Sequence, residues 1–509
     1  VGLLGRRIDR LPPESQDLLE ILACLGGEVS TNLLEIASGL DTVALESRLA
    51  PALEDGLIVS LTTHEREIRF RHDRVQQAMH ERMMASDVKV QVGLLLARRL
   101  APHPKLAALA AKQYLPSQHL LTDDAECRSV ITLFQQASII NQVINYDLCE
   151  RFLSAAISLM SRIPLNDVDR ERLFTLQVNR HAALYGLGRL EEADVAYEAI
   201  IANVPEPMRL VDAASVQIAS LANRSRHKDA VSLGLDLLKA FGMPQPEDLK
   251  MAIGMALFKM AGWIASPDKK QDITRPEVSD PRILALAKVL SKTQVAAFFS
   301  SAKIGSWLTM ESHGLWVENG PCPSLMATLC STPMQLIAIG EDYEGAYTLA
   351  RHLLEVGETR KYEPATSVAR FLFAFSSQHW FEPLENKLPH FRKAREGLLQ
   401  AGDLQYAIFT YDSWLVLFDV SPSIDACLDD INACFAMAAR NGDKNTAHIH
   451  CSSRQLYKSL HGDISANFIP GSFDDEHFNE VAHEATLTAP TFAAAYYHGH
   501  RATAAAIFN

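Results

Sequence analysis

The stretch "LIVSLTTHEREIRFRHDRVQQAM", residues 57–79, decides the fold class of the N-terminal region. Two short runs rich in β-branched and aromatic residues, "LIVSL" and "EIRFRH", flank the polar "TTHER". Runs of this composition on either side of a short polar segment predict a β-hairpin. Apolar residues at helical spacing come next, which predicts a helix that begins near Asp73.

Three helical segments precede the hairpin. They are "LPPESQDLLEILACLG", "STNLLEIASGL" and "DTVALESRLAPALEDG", and each ends at or near a glycine, a common helix stop. Pro51 inside the third segment should kink or split that helix. Three helices followed by a two-stranded hairpin predict a winged helix over residues 1–88.

Residues 89–509 show only helical periods, so the chain as a whole is predicted to be mainly α. Four similar segments place a small residue at one aligned position, where it would let two helices approach closely. This pattern predicts a tetratricopeptide-like α-solenoid. The long polar break at 266–281 is predicted to be a mobile loop inside the array. The aligned small residues are Cys149, Ala193, Ala230 and Ala346.

The composition is that of a globular chain with an acidic balance. The 509 residues include 48% hydrophobic and 21% charged side chains, with a net charge of −13 and a pI of about 5.8. This balance disfavours nonspecific binding to nucleic acid and to anionic membrane surfaces. The chain begins with Val and ends in an apolar run, so we expect it to be part of a longer protein.

Cysteine usage and hydropathy favour the cytoplasm. The eight cysteines are scattered without a Cys-x-x-Cys pair, which favours free thiols in a reducing compartment. The most apolar stretch, 251–265, is too short to span hydrocarbon about 30 Å thick and contains Lys259. We therefore expect that stretch to be a buried helix.

The His72–Asp73 pair admits several interpretations. Metal-dependent phosphohydrolases use such a pair, but they need further His and Asp ligands, and only His80 lies nearby. A histidine-kinase phosphoacceptor also precedes an acidic residue, but it belongs to a long amphipathic helix pair. Asp73 followed by Gln76 is typical of a capping box, in which both side chains satisfy backbone N–H groups at a helix start. The capping box explains Asp73 but leaves open why His72 lies between strand and helix.

Other histidine-rich segments give only weak metal-site patterns. "HIHC" (448–451) and "YYHGH" (496–500) contain paired histidines, and "HEATL" (483–487) lacks the second His of the zinc-protease motif. No Walker A motif, Rossmann glycine fingerprint or nucleophile elbow occurs in the sequence. We therefore predict no catalytic residue in this chain and no metal or cofactor site of its own.

A winged helix raises the question of DNA binding. The element that would enter the major groove is the third helical segment, residues 41–56. It carries four acidic residues against Arg48, so DNA phosphates would repel it. A transcriptional regulator with a helical-repeat sensor domain is therefore the alternative function. The four acidic residues are Asp41, Glu46, Glu54 and Asp55.

The segment "IRFRHDRVQQAM" resembles the end of the nucleotide-binding module in STAND-class signalling ATPases. There a winged helix closes on a Met-His-Asp motif, whose histidine contacts the β-phosphate of ADP in the resting state. The sequence departs from that motif at its first position, where Arg71 stands. The resemblance implies that His72 and Asp73 sense nucleotide in an intact parent protein.

The longer form "HDRVQQA", with "GRLEEADVAYEAI" and "GEDYEGAYTLARHLLE", resembles large multidomain sensor kinases, over most of the chain. These carry a Ser/Thr-kinase-like domain, an AAA-type P-loop ATPase, a tetratricopeptide-like superhelix, often a GAF sensor, and a histidine kinase or another output domain. The resemblance implies a non-catalytic regulatory segment between the ATPase and the output domain. ATP or ADP with Mg would be bound by the ATPase upstream. The implied partners are the neighbouring ATPase and kinase domains and a protein or peptide on the solenoid surface, without nucleic acid or membrane.

Overall fold

A computed structural model describes residues 2–62, 66–85, 88–142, 145–204, 206–413, 420–440, 444–464, 471–487 and 492–508. The middle of the predicted hairpin turn, residues 63–65, lies outside the described residues. By their internal contacts the residues form two compact units, Val1–Leu187 and Gly188–Asn509. The predicted boundary between a winged helix and a helical array, at residues 88 and 89, stays a prediction.

The first unit is helical apart from one small sheet. Short 3-10 turns at Pro104–Leu106 and Gln118–Leu120 flank its seventh helix. Its helices are α1 (Gly2–Asp9), α2 (Pro13–Cys24), α3 (Thr31–Ser38), α4 (Thr42–Glu54), α5 (Asp73–Ala85), α6 (Val88–Leu100), α7 (Ala107–Ser117), α8 (Asp124–Asn141), α9 (Tyr146–Met160) and α10 (Asp167–Gly186).

The sheet of the first unit has three antiparallel strands. They are β1 (Glu28–Ser30), β2 (Ile58–Thr62) and β3 (Arg66–Phe70), in the order β1-β3-β2. The predicted hairpin is present as β2 and β3. The sequence did not reveal β1, because three residues are too few to show an alternating pattern.

Local sequence sets the limits of the helices before the hairpin. The Ser30 hydroxyl accepts a hydrogen bond from a backbone N–H of α3, and the Asp41 carboxylate does the same for α4. Gly56, at φ 65°, lets the chain leave α4 in the left-handed conformation. Pro51 removes one backbone donor, yet α4 is continuous, so a split at Pro51 is wrong and a kink there stays a prediction. The buried face of α4, which includes Leu49, holds the helix together.

Two apolar clusters form the core of the first unit. One joins α2, the sheet and α5 through Leu22, Ile58 and Met79, all almost fully buried. The other joins α8 to α9, where the rings of Phe134 and Phe152 lie 5.7 Å apart. Among the described residues no strand lies beyond β3, so the mainly α prediction is confirmed.

All regular secondary structure in the described part of the second unit is helical. Its helices are α11 (Leu190–Asn203), α12 (Pro207–Asn223), α13 (His227–Ala240), α14 (Leu249–Ala265), α15 (Pro281–Ser300), α16 (Ala302–Asn319), α17 (Pro323–Leu329), α18 (Thr332–Gly340), α19 (Tyr343–Arg360), α20 (Ala365–Ser376), α21 (Lys387–Gln400) and α22 (Leu404–Phe409). Further helices span Ile424–Arg440, Lys444–His461, Glu480–Glu484 and Phe492–Phe508.

The segment 266–281, predicted to be a loop, is partly helical. A 3-10 helix occupies Pro267–Ile273, and Asp272 within it is only 2% exposed. Val278 also joins the main apolar cluster of the second unit. The loop prediction is therefore wrong for Pro267–Ile273. Burial of Asp272 and Val278 holds this part of the chain against the rest of the second unit.

Among the described residues one helix, α15, is long and apolar enough to cross a membrane, or two if α14 and the bent Pro267–Ile273 turn count as one span. Half of the apolar window in α15 is buried, and core helices of soluble proteins pass the same test. In the second unit α15 packs against α12, α13, α16 and α17. This packing is consistent with a soluble protein.

Candidate functional site

The end of β3 holds the backbone on both sides as the chain approaches His72. The Phe70 N–H donates to the carbonyl of Gly27 at 3.0 Å, and the Arg71 N–H donates to the carbonyl of Leu57 at 3.0 Å. His72 follows with an exposed side chain. The imidazole of His72 therefore lies at the surface, two residues after the end of a strand whose backbone is hydrogen-bonded on both sides.

Asp73 is the first residue of α5, one position inside the helix rather than before it. Its carboxylate makes no hydrogen bond to any residue that the structure describes. The amide of Gln76 lies against Gly27, where an added Cβ would be 2.6 Å from Gln76 Oε1. The predicted capping box is therefore wrong. Asp73 still places a negative charge at the positive end of the α5 dipole.

Three arginines lie within three residues of His72 in the sequence. Arg69, Arg71 and Arg74 are all exposed, and within the described chain none of them forms an ion pair. Gly56 makes room for one of these groups, since a Cβ there would lie 2.9 Å from Arg71 Nη1. Guanidinium groups bind phosphates and carboxylates well, so this surface is suited to an anion.

The structure brings together the three histidine-rich segments, 448–451, 483–487 and 496–500. Cys451 Sγ lies 3.5 Å from His483 Nε2, and the rings of His448 and His483 are 5.1 Å apart. His500 Nδ1 lies 3.0 Å from the hydroxyl of Ser452. Burial raises the pKa of Cys451 to about 11, so its thiol stays protonated near neutral pH and is a poor nucleophile. In the described part of the chain no three His, Cys, Asp or Glu side chains are placed to hold a metal ion.

A buried carboxylate, Asp272, anchors the 3-10 turn of the second unit. It accepts a hydrogen bond from Trp316 Nε1 at 2.9 Å and lies 3.1 Å from His352 Nε2. Arg360 Nε donates to the backbone carbonyl of Asp272 at 2.8 Å. Sequence reasoning did not find this group, because its partners lie on distant helices. Its bonds bind the segment to α16 and α19, which is a structural role.

The outer face of α14 is apolar and exposed. Met251, Met255 and Phe258 are 62%, 61% and 83% exposed, and their spacing places them on one side of the helix. Met260 and Ile264, on the inner side, are buried. The expectation of a buried helix is therefore wrong for the outer face of α14. An exposed stripe of large apolar side chains is typical of a surface that binds another protein.

No protein-family model and no curated protein matches the chain. The resemblance to multidomain sensor kinases therefore rests on the sequence segments quoted above.

Proposed function

We propose that the chain is a non-catalytic regulatory segment of a large cytoplasmic sensor kinase, which couples an upstream P-loop ATPase to downstream output domains. The segment would act by binding protein. The single observation that carries this proposal is the exposed stripe of α14. The acidic balance and the eight free cysteines support a cytoplasmic location without nucleic-acid partners.

Two structural features support the family assignment behind this proposal. In the first unit the elements run α2, β1, α3, α4, β2, β3 with strand order β1-β3-β2, an arrangement that suits a winged helix. The four aligned small residues of the repeat pattern are all buried in helices, as helix-to-helix contacts in a solenoid require. They are Cys149, Ala193, Ala230 and Ala346.

The α14 stripe suits a protein partner with an apolar groove or helix. Residues at i, i+4 and i+7 of one helix are the usual anchors of such docking. Methionine side chains adapt to irregular surfaces, and a phenylalanine adds a large apolar contact. The neighbouring ATPase and kinase domains of the parent protein are the partners that the resemblance implies.

Binding of this chain to the ATPase segment of the complete reading frame tests the proposal. We expect the double variant Met255→Ser, Phe258→Ser to weaken binding at least about tenfold, because truncated apolar anchors are the residues that dominate interface energies. Val168→Ser changes an equally exposed apolar residue on α10 and serves as the control. Unchanged affinity of the double variant, measured by titration calorimetry, would reject α14 as the docking surface.

We also propose that His72, with Asp73 beside it, senses nucleotide in the parent protein. Support comes from the exposed imidazole at a fixed strand end and from the exposed guanidinium groups of Arg71 and Arg74. One ring N–H of His72 would donate to the β-phosphate of ADP when the ATPase is closed. Such a charge-assisted hydrogen bond contributes about 1.5–3 kcal/mol, which changes affinity roughly ten- to a hundredfold.

The complete protein tests the sensor role. We expect His72→Ala to weaken ADP retention and raise basal signalling, with the melting temperature of this chain unchanged. His103→Ala removes another exposed histidine of the first unit and should have no effect. Wild-type ADP affinity together with wild-type basal output in His72→Ala would remove the sensor role and leave the docking proposal untouched.

A further inference from the structure

The second unit contains a half-open pocket with a volume of about 80 Å³. Its walls come from α15, α18, α20 and α22 and from the helices Lys444–His461 and Phe492–Phe508. Six helices surround the space, which suits a compact molecule better than an extended polypeptide.

Aromatic rings in mutual contact line one side of the cavity. The ring centroids of Phe299 and Phe409 are 5.8 Å apart, and those of Phe409 and Tyr406 are 5.7 Å apart. Tyr406 in turn contacts Phe371 at 6.4 Å, and Phe371 contacts Phe375 at 5.6 Å. Flat apolar surfaces of this kind favour a planar aromatic ligand, which can stack on them or meet them edge to face.

Most of these rings are only half-buried although they stand among core helices. Phe299, Phe375, Tyr406 and Phe409 all keep part of their surface accessible. Apolar surface that still meets water gains from being covered by an apolar ligand. An apolar ligand that covers these rings would therefore gain binding free energy from burying them.

A few neutral polar groups stand among the apolar walls. The side-chain amide of Gln294 donates to the hydroxyl of Ser331 at 2.9 Å, and both residues are buried. The carbonyl oxygen of Gln294 and the proton of Ser331 remain for a ligand. The Tyr406 hydroxyl makes no hydrogen bond to any residue that the structure describes. Burial raises the pKa of Tyr406 well above its usual value, so its phenol stays protonated and can donate.

The charge of the lining limits the ligand class. No Asp, Glu, Lys or Arg stands among the described residues that line the cavity. A charged ligand would lose its hydration there without gaining an ion pair. The lining therefore selects against ions.

We propose that this cavity binds an uncharged, planar aromatic small molecule, with Gln294, Ser331 and Tyr406 as the hydrogen-bonding groups. The binding site goes beyond the docking role of α14 and does not depend on the family assignment. A bound molecule would bridge α15, α20 and α22 to the two helices after residue 444. Ligand binding would thereby stabilise the folded second unit.

A matched pair of fluorescent probes tests the proposal on the whole chain. N-Phenyl-1-naphthylamine is neutral, and 1-anilinonaphthalene-8-sulfonate has the same rings with an added sulfonate. We expect the neutral probe to bind at one site per chain, at least about tenfold more tightly than the sulfonate, because the described lining has no Lys or Arg to pair with the sulfonate. Equal affinities, or several neutral probe molecules per chain, would overturn the proposal.

Substitutions then locate the probe. Ile449→Trp adds bulk at the cavity wall and should weaken binding of the neutral probe at least about tenfold, whereas Ile339→Trp, on the exposed face of α18, should leave it unchanged. Circular dichroism confirms that each variant folds, and Met334→Trp on another wall replaces Ile449→Trp if that variant does not. Wild-type affinity in a folded wall variant would mean that the probe binds elsewhere, and the proposal would fail.

Discussion

At Gly234, α13 passes so close to α15 that an added Cβ atom would overlap the side chain of Thr293. Thr293 is fully buried, and its hydroxyl donates to the carbonyl of Val289 at 2.7 Å, so it has little freedom to move. Gly234→Ala should therefore lower the free energy of unfolding by roughly 1–3 kcal/mol through overpacking.

Gly254 in α14 provides the matched control, because an added Cβ there would meet nothing within 4 Å. Alanine is the better helix former, so Gly254→Ala should raise the free energy of unfolding by roughly 0.5–1 kcal/mol. Urea unfolding of both variants measures the two effects. An increase in the free energy of unfolding for both variants would show that the α13–α15 contact is less tight than the structure indicates.

His313 makes the stability of the second unit depend on pH. Its ring meets the edge of Trp263 at 5.1 Å, and its Nε2 atom has no hydrogen-bond partner among the described residues. Burial lowers the pKa of His313 to about 4, while the Asp272 carboxylate acts in the opposite direction and Lys259 adds to the decrease. An unfolded chain binds this proton near pH 6.5, so stability falls as pH falls from about 6.5 towards 4.

Replacing His313 tests this assignment. His313→Phe should reduce the slope of unfolding free energy against pH between pH 6.5 and 4 by up to about 1.4 kcal/mol per pH unit, since one proton is no longer taken up on unfolding. His461→Gln is the control, because Asp463 raises the pKa of the exposed His461 and the effect has the opposite sign. An unchanged slope in His313→Phe would assign the acid sensitivity to other groups.

Single-residue roles near a helix end are hard to derive from sequence. The position of His72 at the junction of strand and helix follows from the change of period after the hairpin, and the structure confirms it. The role of Asp73 did not follow, because capping depends on whether a residue stands before the helix or inside it. A shift of one residue decides between the two, and helix boundaries are uncertain by that amount.

At the scale of the elements, all four aligned small residues are buried, whereas the solenoid that they predict stays a prediction. Ala193 on α11 is fully buried. Ala193→Leu should overpack its contact and lower the free energy of unfolding by roughly 1–3 kcal/mol. Ala199→Leu, on the exposed side of the same helix, should change it by less than about 0.5 kcal/mol. Equal melting curves for the two variants would mean that the predicted face of α11 is wrong.

The elements that sequence reasoning missed depend on distant partners. Asp272 lies in a polar segment with Pro and Lys, a composition typical of a loop, and its burial requires Trp316 and His352 on other helices. In the same way, α14 is apolar on both faces, so its period does not tell which face meets the core. Only the tertiary arrangement distinguishes Met260, inside, from Phe258, outside.

At the scale of the whole molecule, composition and period predict the mainly α class, which the structure confirms. The array over residues 89–509 stays a prediction, while internal contacts group the chain into Val1–Leu187 and Gly188–Asn509. Nearest-neighbour stacking gives each repeat similar local signals, so a boundary between compact units leaves little trace in sequence.

The charge of the chain disfavours binding to nucleic acid. The net charge is −13, and residues 41–56 carry Asp41 and Glu54 in addition to two carboxylates, of Glu46 and Asp55, that pair with Arg66 and Arg7.

We therefore expect no tight complex with duplex DNA in a gel-shift titration, although Arg69, Arg71 and Arg74 provide a small positive surface. Any weak binding should depend little on salt between about 50 and 200 mM, because few phosphates would be contacted. Substituting the three arginines by glutamine should not change that result. A tight complex with a steep salt dependence, lost in the substituted chain, would instead favour the winged-helix transcriptional regulator with a helical-repeat sensor domain.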